Sequence, residues 1–184
     1  LDNVSYPSGF YDLTGSYTVE GWVYRAFGAV GPATIFSQDD ASLSIKGYKL
    51  QVQLDGSVTL NWSDGVQALE VANTGPGALM VDGQYHHVAA TYDALSKSFS
   101  VSVDGIVTPG LTIPGFGDSS SFLDFRIGAA EASSGALVDP FSGRIDDVGV
   151  YGRALSFGEI GLLASLQGYG KSRGIIAGNK IGLA

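Results

Sequence analysis

The chain has 184 residues, a formal net charge of −8, no cysteine and 27 glycines. Its length favours a single domain, and a hydrophobic content of 45% is enough for a core, which excludes a disordered chain. Ten basic residues exclude a nucleic-acid partner, because that affinity comes from clustered lysines and arginines. No apolar run reaches the roughly 18 residues of a membrane-inserted helix. The lack of cysteine excludes disulfides and thiolate metal sites.

Short apolar segments that alternate with polar residues recur along the chain and predict β-strands. In chain order, we predict strands over 17–24, 34–37, 50–54, 58–62, 87–92, 99–103, 122–127 and 144–151. Asp-Gly pairs, which favour type I′ hairpin turns, punctuate this region at Asp55-Gly56, Asp64-Gly65, Asp82-Gly83 and Asp104-Gly105. A series of short strands and tight turns predicts an antiparallel sandwich or barrel.

One helix is predicted after the last of these strands. Ser156 and Glu159 have the spacing of a capping box, in which each side chain binds the backbone N–H of the other residue. Apolar residues from Ile160 onward fall on one helical face, and Gly168 is a typical helix end. The predicted helix covers 157–167.

The chain therefore divides into a domain over 1–168 and a Gly-rich tail over 169–184. The tail carries an apolar pair, Ile175-Ile176. Two interpretations are open: the tail is a linker, or it forms a last strand that pairs with this chain or with another.

Several segments, in this order, resemble one known family. They are 17–23 (YTVEGWV), 83–93 (GQYHHVAATYD), 100–105 (SVSVDG), 125–128 (FRIG), and 141–151 with 153–160 (FSGRIDDVGVY and RALSFGEI). Together they cover about residues 15–165. The chain is thereby similar to the laminin-G-like, concanavalin A-type lectin/glucanase sandwiches, particularly the subgroup common in microbial surface proteins. Tyr85 stands where that family usually has tryptophan.

The resemblance implies an all-β fold, an antiparallel jelly-roll β-sandwich of two curved sheets with one short C-terminal helix. It further implies a secreted or cell-surface binding module without catalytic activity. The expected partner is a glycan or a cell-surface protein, and the expected cofactor is a calcium ion near the rim of the sandwich. The same scaffold hosts lectins, adhesins and spacers, so the fold alone does not fix the function.

The glutamates argue against glycoside hydrolysis, which some relatives with this fold perform. Such catalysis needs two carboxylates about 5 Å apart, which a strand supplies from alternate positions. The four glutamates are at positions 20, 70, 131 and 159, and none has an acidic residue two positions away. We therefore predict that the protein is not an enzyme.

The candidate calcium ligands are aspartates, because Ca²⁺ prefers hard oxygen ligands. Asp146 lies in the most family-like strand, and Asp39 and Asp40 lie where the resemblance implies a rim aspartate. The competing interpretations are a strand bulge for Asp146 and a solvated turn for Asp39 and Asp40. His86 and His87 cannot chelate one ion, because neighbours on a strand point to opposite faces, so we expect one to be packed and one exposed.

The candidate glycan ligands surround one hairpin. Sugar rings stack on aromatic side chains, and Trp62 ends a strand beside Asn61 and Asp64, with Tyr48 just before the same hairpin. For Trp62, core packing is an equal alternative. We therefore expect either a carbohydrate-binding or adhesive module with these ligands, or a structural subunit that self-assembles by pairing residues 169–184 with a neighbouring chain.

Overall fold

A computed structural model describes residues 4–7, 14–29, 31–39, 46–79, 83–115, 121 and 123–166, together with the backbone of 180–181. The strands are β1 (Val4–Tyr6), β2 (Tyr17–Arg25), β3 (Ala33–Ser37), β4 (Gly47–Val52), β5 (Val58–Ser63), β6 (Ala68–Asn73), β7 (Tyr85–Asp93), β8 (Ser98–Val103), β9 (Ile106–Thr112), β10 (Phe125–Ile127), β11 (Ala130–Glu131), β12 (Leu137–Val138), β13 (Gly143–Tyr151) and β14 (Lys180–Ile181). The helix is α1 (Phe157–Ala164). No helix in these residues is long and apolar enough to cross a membrane.

The strands form two six-stranded antiparallel sheets, which confirms the predicted jelly-roll sandwich. The first sheet has the order β1-β10-β3-β4-β5-β6, and the second has the order β14-β13-β2-β7-β8-β9. Strands β11 and β12 pair with each other as a separate hairpin.

The core lies between the inner faces of the two sheets. Because side chains alternate across a strand, every second residue of β4 and β5 points inward, including Leu50 and Leu60. On β2 of the second sheet, Tyr17, Val19 and Val23 fill the same core. The polar residues between these positions therefore point away from the core, onto the outer faces.

The two sheets come close to each other where β9 passes β6. A Cβ atom added at Gly110 would lie 2.2 Å from the carbonyl oxygen of Val71 and 2.6 Å from the Cβ of Ala72. No side chain fits in that gap. Glycine at position 110 is thus a condition for this edge of the sandwich to close.

Helix α1 covers part of the outer face of the second sheet. Its capping box is confirmed: the Glu159 backbone N–H donates to Ser156 Oγ (3.3 Å), and the Ser156 N–H donates to Glu159 Oε2 (2.8 Å). Ile160 and Leu163 pack against that face in a small apolar cluster. The helix ends at Ala164, three residues before the predicted end. The backbone N–H of Ser165 donates to the carbonyl oxygens of Gly161 and Leu162 and so closes the last turn.

The Asp-Gly turns are only partly of the predicted type. Type I′ needs positive φ at both residues, and Asp104-Gly105 meets this condition with φ values of 51° and 79°. Asp55 and Asp64 lack a positive φ. Each instead accepts a hydrogen bond from the backbone N–H two residues later, which builds an Asx turn, so the type I′ prediction is wrong there.

Two residues of the tail pair with the chain's own second sheet. In β14, Lys180 and Ile181 lie opposite Tyr151 and Val150 of β13. This pairing fits the interpretation of the tail as a last strand of this chain. The segment 167–179, with Ile175-Ile176, lies outside the described residues, and pairing with a neighbouring chain stays a prediction.

Candidate functional site

The two predicted aromatic ligands lie in the core. Trp62 is 0% exposed and Tyr48 is 1% exposed. The Trp62 ring contacts Phe99 and Tyr92 at centroid distances of 4.9 and 5.1 Å, and the Tyr48 ring lies 5.0 Å from that of Tyr17. Neither ring has a free face for a sugar. The expectation of an aromatic platform at Trp62 and Tyr48 is therefore corrected, and packing is their role.

The two predicted polar ligands lie elsewhere. Asp64 is in the turn after β5, where its Oδ1 accepts the backbone N–H groups of Val66 (2.9 Å) and Gln67 (2.8 Å). It holds the turn. Asn61 precedes Trp62 on β5 and so points to the opposite, outer face of the first sheet, where it is partly exposed.

The predicted calcium ligands do not form a site in the described residues. Asp146 is exposed on β13 at a break in the register with β2, and its Oδ1 accepts the N–H of Asp147. This bulge is the alternative given for it above. Asp39 follows β3 and is buried, and Asp40 lies outside the described residues. Among the described residues, no group of three or more His, Cys, Asp or Glu side chains is placed to hold a metal ion, and calcium binding stays a prediction.

A row of polar residues crosses the whole outer face of the first sheet. Residues directly opposite each other on paired strands share a face. The register places side by side Ser5, Arg126, Ser37, Lys49, Asn61 and Glu70, one from each strand from β1 to β6 in sheet order. With about 4.8 Å between strands, the row is about 24 Å long.

A second polar row runs beside the first. It consists of Thr34, Gln51, Thr59 and Asn73, which are opposite one another on β3, β4, β5 and β6. Gln51 Nε2 donates to Asp139 Oδ2 (3.1 Å), so the segment after β12 is tied to this row. The outer face of the first sheet, lined by these two rows, is called the polar face below.

Ion pairs fix Arg126 near one end of the polar face. Its Nη2 contacts Oε2 of Glu131 on β11, and it lies 3.6 Å from Oδ2 of Asp124. The Arg126 side chain is 15% exposed, and the Glu131 and Asp124 side chains are 27% and 38% exposed. The guanidinium is therefore at the surface but already engaged by two carboxylates.

The polar face can bind a ligand rich in hydroxyl groups. Amides donate and accept, hydroxyls do both, and carboxylates accept. The accessible part of the face is its end on β5 and β6, where Asn61 is half-exposed and Glu70 and Asn73 are exposed. The other members of the rows on β3, β4 and β5 are at most 6% exposed: Thr34, Ser37, Lys49, Gln51 and Thr59. Neither row contains an aromatic residue, so hydrogen bonds rather than ring stacking would carry recognition here.

The outer face of the second sheet is exposed in one part and buried in another. Tyr24 and Tyr85 are half-exposed with ring centroids 5.5 Å apart, and the exposed Arg144 lies over the Tyr24 ring.

The buried part holds Glu20 and His87, which are both 0% exposed, and His87 Nε2 lies 3.1 Å from Glu20 Oε2. The Tyr151 hydroxyl donates to Glu20 Oε1 (3.3 Å), and burial, followed by the nearby Glu20 charge, raises the pKa of Tyr151. His86, by contrast, is partly exposed and binds Asp104 at 2.7 Å, which confirms that the two histidines point to opposite faces.

Sequence reasoning missed most of the polar face, although part of its signal was present. In β4 and β5, Lys49, Gln51, Thr59 and Asn61 occupy every second position between apolar residues. That alternation marks an outward polar surface. The search for a sugar site followed the aromatic residues instead. Arg126 and Glu131 carry no local signal, because only the pairing of distant strands brings them to this face.

The sequence and the fold were compared with known proteins. A family described as the concanavalin A-like lectin/glucanases superfamily matches residues 2–161. A search of curated proteins finds no match.

Solved structures with a similar fold include three whose match extends over about nine-tenths of this chain. The leech intramolecular trans-sialidase, complexed with 2,7-anhydro-Neu5Ac, has 19% identity and a TM-score of 0.73 over 93% of this chain, but the chain spans only 28% of it. The Ruminococcus gnavus IT-sialidase CBM40 bound to α2,3-sialyllactose has 17% identity and a TM-score of 0.65, covering 89% of this chain and 97% of that one. The binding domain of botulinum neurotoxin serotype G has 13% identity and a TM-score of 0.64, covering 90% and 40%. At these identities the likeness establishes the fold alone.

Proposed function

We propose a carbohydrate-binding function, without catalysis, for this chain, which belongs to the concanavalin A-like lectin/glucanases superfamily. The observation that carries the proposal is the accessible end of the polar face, where the side chains of Asn61, Glu70 and Asn73 lie side by side on β5 and β6. A sugar presents several hydroxyl groups on each ring, and each can donate and accept. An array of two amides and a carboxylate matches that chemistry.

Structural neighbours support the ligand class. The Ruminococcus gnavus CBM40 is bound to sialyllactose in its own structure, so this architecture accommodates a glycan in at least one protein. This chain has a similar sandwich over 89% of its length. We infer that its partner is a glycan. We also infer that the chain itself is secreted or attached to the cell surface.

The engagement of the glutamates supports binding rather than hydrolysis. Glu20 is buried against His87, and Glu159 belongs to the helix cap with Arg153 as its ion-pair partner. Glu70 accepts a hydrogen bond from Asn73 Nδ2 (2.9 Å), and Glu131 is paired with Arg126. Each of the four glutamates thus has a structural partner.

The test is a glycan array followed by titration of a bound glycan against Asn61→Ala and Glu70→Ala. Each substitution removes a hydrogen-bonding group from the accessible end of the polar face. A net hydrogen bond contributes about 0.5–1.5 kcal/mol, so we expect each variant to weaken binding roughly 2- to 13-fold. Isothermal titration calorimetry measures this directly, and repeating it with a chelator tests the calcium prediction at Asp39 and Asp40.

The matched control is Gln67→Ala. Gln67 carries the same amide as Asn61, but it is exposed in the turn after β5 and lies outside both rows. Its removal should leave affinity unchanged. Equal losses for Gln67→Ala and Asn61→Ala would place the binding site elsewhere, and an array without any bound glycan would contradict the proposed function.

A further inference from the structure

The exposed part of the outer face of the second sheet carries two aromatic rings and a cation. Tyr24 on β2 lies opposite Tyr85 on β7 and opposite Arg144 on β13, so the three side chains form a row across three strands. We call these three residues the aromatic row. With about 4.8 Å between strands, it is about 10 Å long. Helix α1 packs against Ala89 and Tyr151, toward the other end of these strands, and both tyrosines of the row stay half-exposed.

The Arg144 guanidinium is not used by the fold as an ion-pair partner. The side chain is exposed, and its Cζ lies 5.8 Å from the centroid of the Tyr24 ring. Arg126 and Arg153 each pair with a glutamate, whereas no carboxylate among the described residues pairs with Arg144. Its donors are therefore available to an anion.

A sugar that carries a carboxylate matches both kinds of group in the aromatic row. The apolar C–H face of a sugar ring packs on aromatic side chains, and the planar fork of arginine binds a carboxylate through two parallel hydrogen bonds. The Tyr24 and Tyr85 rings are 5.5 Å apart at an interplanar angle of 50°, so they offer a sugar two inclined surfaces. Arg144 stands beside Tyr24, where it can reach a carboxylate on the same ring.

Two features oppose the binding of an anion here. The chain has a net charge of −8, and Asp146 is exposed two residues after Arg144 on the same face. Repulsion from charges more than about 10 Å away is largely screened at 0.1 M salt, whereas the contact with the guanidinium is direct. Asp146 should therefore weaken the binding of an anion, and its removal should strengthen it.

We infer that the aromatic row is a second sugar site, which takes a sugar bearing a carboxylate, either a uronic acid or a sialic acid. Tyr24 and Tyr85 contact the sugar ring, and Arg144 binds its carboxylate. This site lies on the opposite sheet from the polar face and adds a charge requirement, so it goes beyond the proposed function.

The experiment titrates the whole chain with sialyllactose and with a glucuronic acid disaccharide, each beside its carboxyl-reduced counterpart. The wild-type chain should bind one acidic sugar more tightly than its reduced form, and that arm identifies the source of the carboxylate. Arg144→Gln should weaken binding of this acidic sugar about tenfold, the lower end of what a charge-assisted hydrogen bond contributes. Asp146→Asn should strengthen it, and Tyr24→Ala should weaken binding of the acidic and reduced forms alike.

The matched control is Arg153→Gln, which removes the same charge outside the aromatic row and should leave the affinity unchanged. An equal loss in Arg153→Gln would reduce the effect to net charge and overturn the role of Arg144. Loss of the acidic preference in Asn61→Ala would place the carboxylate contact on the first sheet and overturn the second site.

The wild-type chain alone separates this site from the proposed function. Equal affinity for the acidic and reduced forms, or no binding of either acidic sugar, would overturn the second site without requiring any variant to fold. Neutral glycans bound in the same experiment would leave the polar face standing. Acidic binding that depends on Arg144, without any neutral glycan bound, would support the second site and contradict the site on the polar face.

Discussion

The outer faces of the two sheets carry similar polar residues that differ in their exposure to solvent. On the first sheet, Asn61 is half-exposed and Glu70 is exposed at the accessible end of the polar face. On the second sheet, Glu20 and His87 are fully buried, and His87 Nε2 lies 3.1 Å from Glu20 Oε2. Helix α1 packs on that second face through Ile160 and Leu163. A glutamate facing away from the core thus reaches solvent on one sheet and is a buried structural group on the other, depending on what covers it.

The largest expected effect comes from removing the carboxylate on the covered face. Glu20→Ala leaves His87 and the Tyr151 hydroxyl buried without their acceptor, and breaking such a buried pair costs about 3–5 kcal/mol. Glu70→Ala, the matched change on the open face, should cost about 0.5 kcal/mol or less. Urea unfolding measures both. If the two variants lose similar amounts of unfolding free energy, the burial of Glu20 does not make it more important for stability than Glu70.

A smaller effect is expected where the two sheets meet. Gly110→Ala would force a methyl group to within 2.2 Å of the Val71 carbonyl oxygen, and such overpacking costs about 1–3 kcal/mol. Gly115→Ala is the control, because a Cβ there has no atom within 4 Å. The thermal midpoints of the two variants should separate clearly. Since β6 also carries Glu70 and Asn73, we expect Gly110→Ala to weaken glycan binding as well.

The smallest effect concerns pH and the cap of the helix on the covered face. The side-chain hydrogen bond from Arg153, followed by the backbone N–H of Ser156, lowers the pKa of Glu159 from 4.5 to about 2. A carboxylate with a lowered pKa stabilises the fold above its unfolded value, so its contribution is complete above pH 4.5 and is lost as the pH falls toward 2.

Glu159→Gln tests this contribution. It should cost about 0.5 kcal/mol at neutral pH, as expected for an exposed ion pair, and the difference from wild type should vanish near pH 2. Unfolding by urea across that pH range measures the difference. A gap that stays constant down to pH 2 would assign the effect to something other than ionisation of Glu159.

The fold was largely readable from the sequence because its strongest elements have local signals. The alternation in β4 and β5 and the capping box at Ser156 and Glu159 need no distant partner to be recognised. Strands β6 and β9 were missed for physical reasons. Ala68–Asn73 is rich in residues with low strand propensity, and β9 contains Pro109 and Gly110, which argue against a strand interior. Pairing with neighbouring strands overrides these preferences, and the edge position of β9 tolerates the proline.

The candidate site was less accessible to sequence reasoning than the fold. Trp62 could have been assigned to the core, because period 2 puts it on the face of Val58 and Leu60. Arg126 could not have been placed beside Ser5 and Ser37, because register between strands so distant in sequence is set by tertiary packing. Of the predicted glycan ligands, Asn61 alone lies on the polar face.

The edge strands of both sheets influence whether copies of the chain associate with one another. An unpaired strand margin is a template for a second molecule, and proteins discourage that contact with short strands, prolines and bulges. Here β1 has three residues and β14 has two, β9 carries Pro109, and β6 has an irregular register with β5 between Leu60 and Asn61. A second copy would therefore find little continuous backbone to extend, so at high concentration this domain should resist fibre-like stacking despite a charged content of only 15%.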